Sequence, residues 1–361
     1  MTSLTILSHR EEDNVNNPRD TAYDSALASA VGIPPQRGSY MRYRPSRSPP
    51  SILERYLGKE DLFSSVYTSA ARQGLSTGLR RSYNITLEDS YDCPHVVDDF
   101  YYSTMDWSPN NILCTALEDE IYARNMALAH DVETDPLFNW TDRHAIVNYM
   151  IIISAVCCTG CPPSRFIIGT TLGELAVCDF EHAQNIDVSY KIHTYTITCI
   201  ACNGAMLCAS GGNDAVVCLN DMRMGNVSIK LRGHTGIICN LQYDLHDTTK
   251  LASTDNNGTV KIWDVRQTFQ SVHTMKEHAG GSKALAWCPW ESSILITGGG
   301  NKDGQIKVWN TTNGTCIRTV KTTTTTQFTS LRWSLHPSIR EFISTGGFVI
   351  YLHIYKCLVV Y

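Results

Sequence analysis

Between residues 98 and 348 the chain alternates short apolar runs with polar, glycine-bearing turns. The runs ELAVCD, VVCLND, VKIWD and IKVWN close at Asp179, Asp221, Asp264 and Asn310, at intervals of 42, 43 and 46 residues. His193, His234 and His278 follow at intervals of 41 and 44. A third marker, an apolar strand centre at Cys202, Tyr243, Trp287 and Trp333, keeps the same step. Runs of this length, rich in β-branched and aromatic residues and bounded by Gly, Asn and Asp, predict strands rather than helices. The turns GGND (211–214), TDNNG (254–258) and GGGNKDG (298–304) are placed to supply the positive φ of tight hairpins.

A period in the low to middle forties with Gly-His and Trp-Asp marks is that of the WD repeat. The predicted fold is all-β: a WD-repeat β-propeller of about six blades. Its units run over about 98–140, 145–190, 191–231, 232–275 and 276–319, with a partial one from 320. Four short strands cannot bury both of their faces alone, so each unit is expected to stack on its neighbours. Cys178 and Cys202 stand where other units carry an aromatic, which predicts weaker second and third blades. The three histidines are expected to hydrogen-bond within their blades rather than act as bases.

Residues 1–95 lack sustained periodicity and are polar, which predicts a mostly disordered N-terminal region ahead of a 96–361 propeller. One basic segment, 37–59, has six basic residues and one acid, and Pro45, Pro49 and Pro50 exclude a helix through its middle.

Composition adds exclusions. With 43% apolar residues, 18% charged and a net charge of −5 over 361 residues, the chain is an ordinary folded one. It carries no global attraction for nucleic acid or an acidic membrane. Residues 145–158 are apolar but too short to span a bilayer, and an N-terminal signal is not visible, so an intracellular location is expected. The 14 cysteines mostly sit singly in apolar strands. The C-x-x-C within CCTGC (157–161) has no second pair at ligand spacing, so it reads as buried strand cysteines, with neither a metal nor a cofactor expected. Nucleophile elbow, phosphate loop and His-Glu-x-x-His are all missing, so catalysis is not expected.

AWCPWESSILITGGGNKDGQIKVWN (286–310) resembles the fifth blade of the Fizzy and Fizzy-related activators of the anaphase-promoting complex. DDFYYSTMDWSPNN (98–111), IIGTTLGELAVCD (167–179) and TSLRWSLHPSIREFISTGGF (329–348) are similar to that family's first, second and sixth blades. MRYRPSR (41–47) is similar to its ligase-docking C-box. Arg42, Tyr43 and Pro45 fit and Arg47 closes the segment, while Met41 and Arg44 replace the usual Asp and Ile.

The resemblance implies a non-catalytic, substrate-recruiting subunit of a cell-cycle ubiquitin ligase, working in nucleus and cytoplasm. Its implied partners are subunits of the anaphase-promoting complex and degron-bearing substrates such as cyclins. It further implies that Asn256 and Asn301 line a KEN-box site and that Asp99 meets the Arg of a destruction box. The family has seven blades and an Ile-Arg tail, whereas this sequence ends in a sixth unit with CLVVY. That departure implies a smaller ring, a gap filled by a partner, or a shortened product. Weak KEN binding and little destruction-box binding are therefore expected. The rival reading is a WD-repeat scaffold without ligase contacts.

Overall fold

The computed structural model describes residues 2–11, 83–93, 96–126, 138–139, 151–162, 164–180, 186–204, 207–221, 228–321, 327–335, 340–346 and 352–356. All regular structure among them is strand. The chain divides into two compact units, Met1–Val96 and Val97–Tyr361. In the first, Thr2–Glu11 pairs antiparallel with Tyr83–Cys93, with a register shift between Ile6 and Leu7. The C-box-like segment 41–47, with Arg42, Tyr43, Pro45 and Arg47, lies outside the described residues.

The second unit is a propeller of six sheets, five with four strands and the last with three described strands. Blade I runs from Met105–Trp107 to Phe138–Asn139 and blade II from Ile153–Cys157 to Ile186–Lys191. Blades III, IV and V run from Ile197–Cys202 to Ser228–Leu231, from Ile238–Tyr243 to His273–Met275 and from Ser282–Trp287 to Thr315–Lys321. Blade VI runs from Phe328–Trp333 to Leu352–Lys356. Within blades I to VI strand order follows chain order, so each connection inside a blade is a hairpin. First strands of blades II to VI lie against one another in sequence, which places them at the hub.

The core is a set of seams rather than one mass, because alternate residues of a strand point to opposite faces. In blade V, Ile294 and Ile296 pack toward blade VI with Phe328 and Trp333. Their neighbour Leu295 packs toward blade IV with Ile262 and Trp287. Cys178 carries little bulk, but Phe166 lies opposite it across the strands and both are fully buried in the I–II seam.

The turns between second and third strands follow the sequence reading only in part. Gly258 has φ 79 and Gly304 has φ 57. A Cβ on Gly258 would stand 2.6 Å from the Gly280 carbonyl oxygen, so the turn admits glycine alone. In blade III the left-handed position falls on Ala215, φ 59, and not on a glycine of GGND. An L-residue held there costs roughly 1–2 kcal/mol.

Candidate functional site

Antiparallel alternation puts the loops between blades and the turn between second and third strands at the same end of every blade. That shared face carries His193, His234 and His278 from the loops and Asp214, Asp255 and Asp303 from the turns. His234 Nδ1 lies 2.8 Å from Asp255 and its Nε2 lies 2.6 Å from Ser253 Oγ, to which Trp263 Nε1 donates at 2.8 Å. Blade V repeats this with His278, Asp303, Thr297 and Trp309 at 2.5, 2.7 and 2.7 Å.

The protons follow from the donors. An indole N–H only donates, so the hydroxyl receives it and gives its own hydrogen to histidine Nε2. The His234 imidazole, held neutral by burial, then donates from Nδ1 to Asp255. Burial acts to raise Asp255, but the His234 hydrogen bond and the backbone N–H of Thr259 outweigh it and hold the carboxyl below its ordinary value. Burial also holds His234 below its ordinary value despite that carboxylate.

Blade III differs. His193 bonds Asp214 at 3.0 Å and Ser210 at 2.9 Å, and the third partner is Asn220, whose Nδ2 lies 3.3 Å from Ser210 Oγ. Asn220 directly precedes Asp221 as Trp263 precedes Asp264. The aligned strand ends carry that signal at Asn220 as they carry the exchange at Cys178. Asn220 is 2% exposed.

The candidate binding residues sit on this face. Asn256 and Asn301 occupy the corresponding turns of neighbouring blades, Asp255–Thr259 and Gly300–Gly304. Gly280 and Gly281 lie between the turns: a Cβ on Gly281 would stand 2.9 Å from the Asn256 carbonyl oxygen, and one on Gly280 would stand 3.3 Å from Lys302 Cβ. Asn301 is exposed. Asn256 is half-buried, its backbone N–H bonds the Ile237 carbonyl, and its side-chain Oδ1 is buried without a hydrogen-bond partner.

Asp99 is exposed in the lead-in to blade I, and its carboxylate accepts the Tyr101 N–H at 2.8 Å. The same lead-in is tied across the hub. Lys283, on the first strand of blade V, donates to the carbonyl oxygens of Phe100 and Tyr102, with its ammonium 5.2 Å from the Phe100 ring centroid. Burial lowers the Lys283 ammonium below its ordinary value, against Cys239, Cys199 and Asp99 nearby. Lys283 lies inside an apolar strand with no repeat marker on it, and sequence reasoning passed over it.

The cysteines of CCTGC are not isolated strand residues. Cys202, one blade away, brings its sulfur 3.3 Å from Cys161 and 3.8 Å from Cys157. Hydrogen bonds from the Cys157 and Cys202 thiols draw Cys161 down to about 5, and the same contacts push those two thiols up.

Comparison with known proteins fits this architecture. The model of the WD domain, G-beta repeat matches residues 225–264, and that of eukaryotic translation initiation factor eIF2A matches residues 252–339. The chain is 30% identical to "Cell division cycle 20.1, cofactor of APC complex" of Arabidopsis thaliana, over 92% of this chain and 69% of that protein. It is 33% identical to "WD repeat-containing protein slp1" of Schizosaccharomyces pombe, over 75% of this chain and 52% of that protein. Among solved structures it resembles a chain of the "Crystal Structure of Mitotic Checkpoint Complex", with TM-score 0.65, 31% identity, and coverage of 74% of this chain and 79% of that one.

Proposed function

The chain belongs to the family of Cell division cycle 20 and Fizzy-related cofactors of the anaphase-promoting complex, and on that premise we propose that it recruits degron-bearing substrates to that ubiquitin ligase. The carrying observation is the 30% identity to a cofactor of the complex along 92% of this chain. The propeller supplies a rigid face of turns, and the N-terminal region supplies a tether. Joining the two raises the effective concentration of substrate at the ligase without lowering any chemical barrier. His193, His234 and His278 do not serve as bases, since both ring nitrogens of each are occupied within their blades. It works in nucleus and cytoplasm, where such substrates are met.

Docking is assigned to Arg42, Tyr43, Pro45 and Arg47, with Arg42 as anchor, because a guanidinium pairs bidentately with a carboxylate. Arg42→Glu is expected to reduce co-purification of the full chain with the complex by about ten- to a hundredfold, the worth of a charge-assisted contact of ~1.5–3 kcal/mol. Unchanged co-purification favours the scaffold reading.

KEN-box recognition is assigned to Asn256 and Asn301, and Asp99 to the Arg of a destruction box. The Asn256 Oδ1 is buried without a partner, so it meets a peptide donor only once the side chain turns outward. Asn256→Ala is expected to weaken binding of a fluorescent KEN-box peptide by roughly tenfold, one hydrogen bond of ~1 kcal/mol or slightly more. Its thermal midpoint should barely move, since no folded-state side-chain oxygen bond is lost. Equal affinity of variant and parent removes Asn256 from the site.

A further inference from the structure

The seam between blades V and VI shows what the seam between II and III lacks. Trp290 and Trp333 pack edge to face there, with ring centroids 4.9 Å apart, and Trp333 Nε1 donates to the Ala286 carbonyl. The strand registers give the equivalent positions. Cys157 lies opposite Ile167 as Ala286 lies opposite Ile296, and Cys202 lies opposite Cys208 as Trp333 lies opposite Phe342. The Arg165-to-Pro162 turn bond matches the Ile294-to-Glu291 bond, which sets Cys161 at the place of Trp290. Where one seam holds two indoles, the other holds three thiols.

Those sulfurs converge. All three lie within 4.8 Å of one another, with Cys157 buried and Cys161 and Cys202 half-buried. A tetrahedral zinc with bonds of ~2.3 Å requires sulfurs about 3.8 Å apart; Cys202 lies 3.8 Å from Cys157 and 3.3 Å from Cys161. The support is stiff. The Asp106 carboxylate accepts the N–H groups of Cys158 and Thr159 at 2.8 and 2.7 Å, and Gly204 N–H crosses the seam to the Gly160 carbonyl at 2.7 Å. Gly160 has φ 77, and a Cβ there would stand 2.5 Å from the Cys202 carbonyl oxygen, so only glycine lets the loop bring Cys161 this close. Asp106 also adds negative charge beside the thiols, which favours a cation.

The geometry points to a zinc site, in which Cys157, Cys161 and Cys202 hold the ion as thiolates and clip blade II to blade III. The three thiol protons pass to solvent on binding. Water supplies the fourth ligand, as in other three-ligand zinc sites. The inference rests on the propeller alone and stands apart from ligase recruitment.

The test is metal analysis of the full chain, desalted after expression in zinc-supplemented medium. About one zinc per chain is expected, released when a mercurial caps the thiols. It should fall at least tenfold in Cys202→Ser and Cys161→Ser and persist in Cys316→Ser, whose thiol lies in blade V. If those serine variants do not fold, cobalt added to zinc-stripped parent chain decides: a sulfur-to-cobalt charge-transfer band is expected. Zinc at background with no cobalt band overturns the proposal. So does zinc undiminished in folded Cys202→Ser, or a mass deficit of two hydrogens locating a Cys161–Cys202 disulfide.

Discussion

Replacing Trp309 by Ala should cost about 3–5 kcal/mol of stability, lowering the thermal midpoint by on the order of 10 °C. Trp309 is fully buried in the IV–V seam with Ile262, Trp287 and Leu295. It also donates to Thr297 and meets His278 edge-on, with ring centroids 6.1 Å apart. Truncation opens a cavity that two blades must share, and neither can collapse into it without losing strand register. The useful control is the equivalent residue of blade III. Asn220→Ala removes a hydrogen bond and little volume, so about 1 kcal/mol is expected. Guanidinium melts of the two variants check the contrast. Equal losses would mean that the hydrogen bond to the strand hydroxyl, not the seam volume, is what the tryptophan provides.

Asp255→Ala is expected to lose about as much, ~3–5 kcal/mol, for a different reason. The carboxylate accepts from His234 Nδ1 and from the N–H groups of Asn257 and Thr259. Alanine strands these donors in a fully buried position, with little chance of water replacing the acceptor. Acid should act in the same direction. Asp255 has a folded pKa below its unfolded value, so its contribution is complete above the ordinary carboxylate range and is lost as pH falls through the folded value. His234 is held neutral in the fold, so protonation of the unfolded chain begins to draw stability away below about pH 6.5. Parent stability should therefore decline steadily from pH 7 to pH 3. In Asp255→Asn the decline below about pH 4 should be shallower, because one linked carboxylate is gone. Denaturant midpoints across that range measure it, and parallel curves for parent and variant would sink the assignment.

The periodic part of the chain was legible because three independent markers kept one spacing. The third-strand ends read at Asp179, Asp221, Asp264 and Asn310 agree with the sheets, since a hairpin repeat fixes where each strand must end. The histidines were legible for the same reason. What escaped lies between repeats. Asn220 takes the tryptophan's hydrogen bond, and seeing that required the bond's acceptor, Ser210, ten residues upstream. Cys202 was recognised as a missing aromatic but not as a third thiol beside Cys157 and Cys161. Spacing along the chain does not reveal which faces two blades turn to each other. Ala215 escaped as well: a residue that prefers ordinary φ occupies the left-handed position because its register is set by the blade on both sides.

The Lys283 bridge ties the stretch that carries Asp99 to a distant part of the chain. An ammonium on the first strand of blade V holds the Phe100 and Tyr102 carbonyls, so the segment next to Asp99 is anchored by a residue 183 and 181 positions further along the chain. Truncating Lys283 removes both bonds and leaves the ladder of blade V intact.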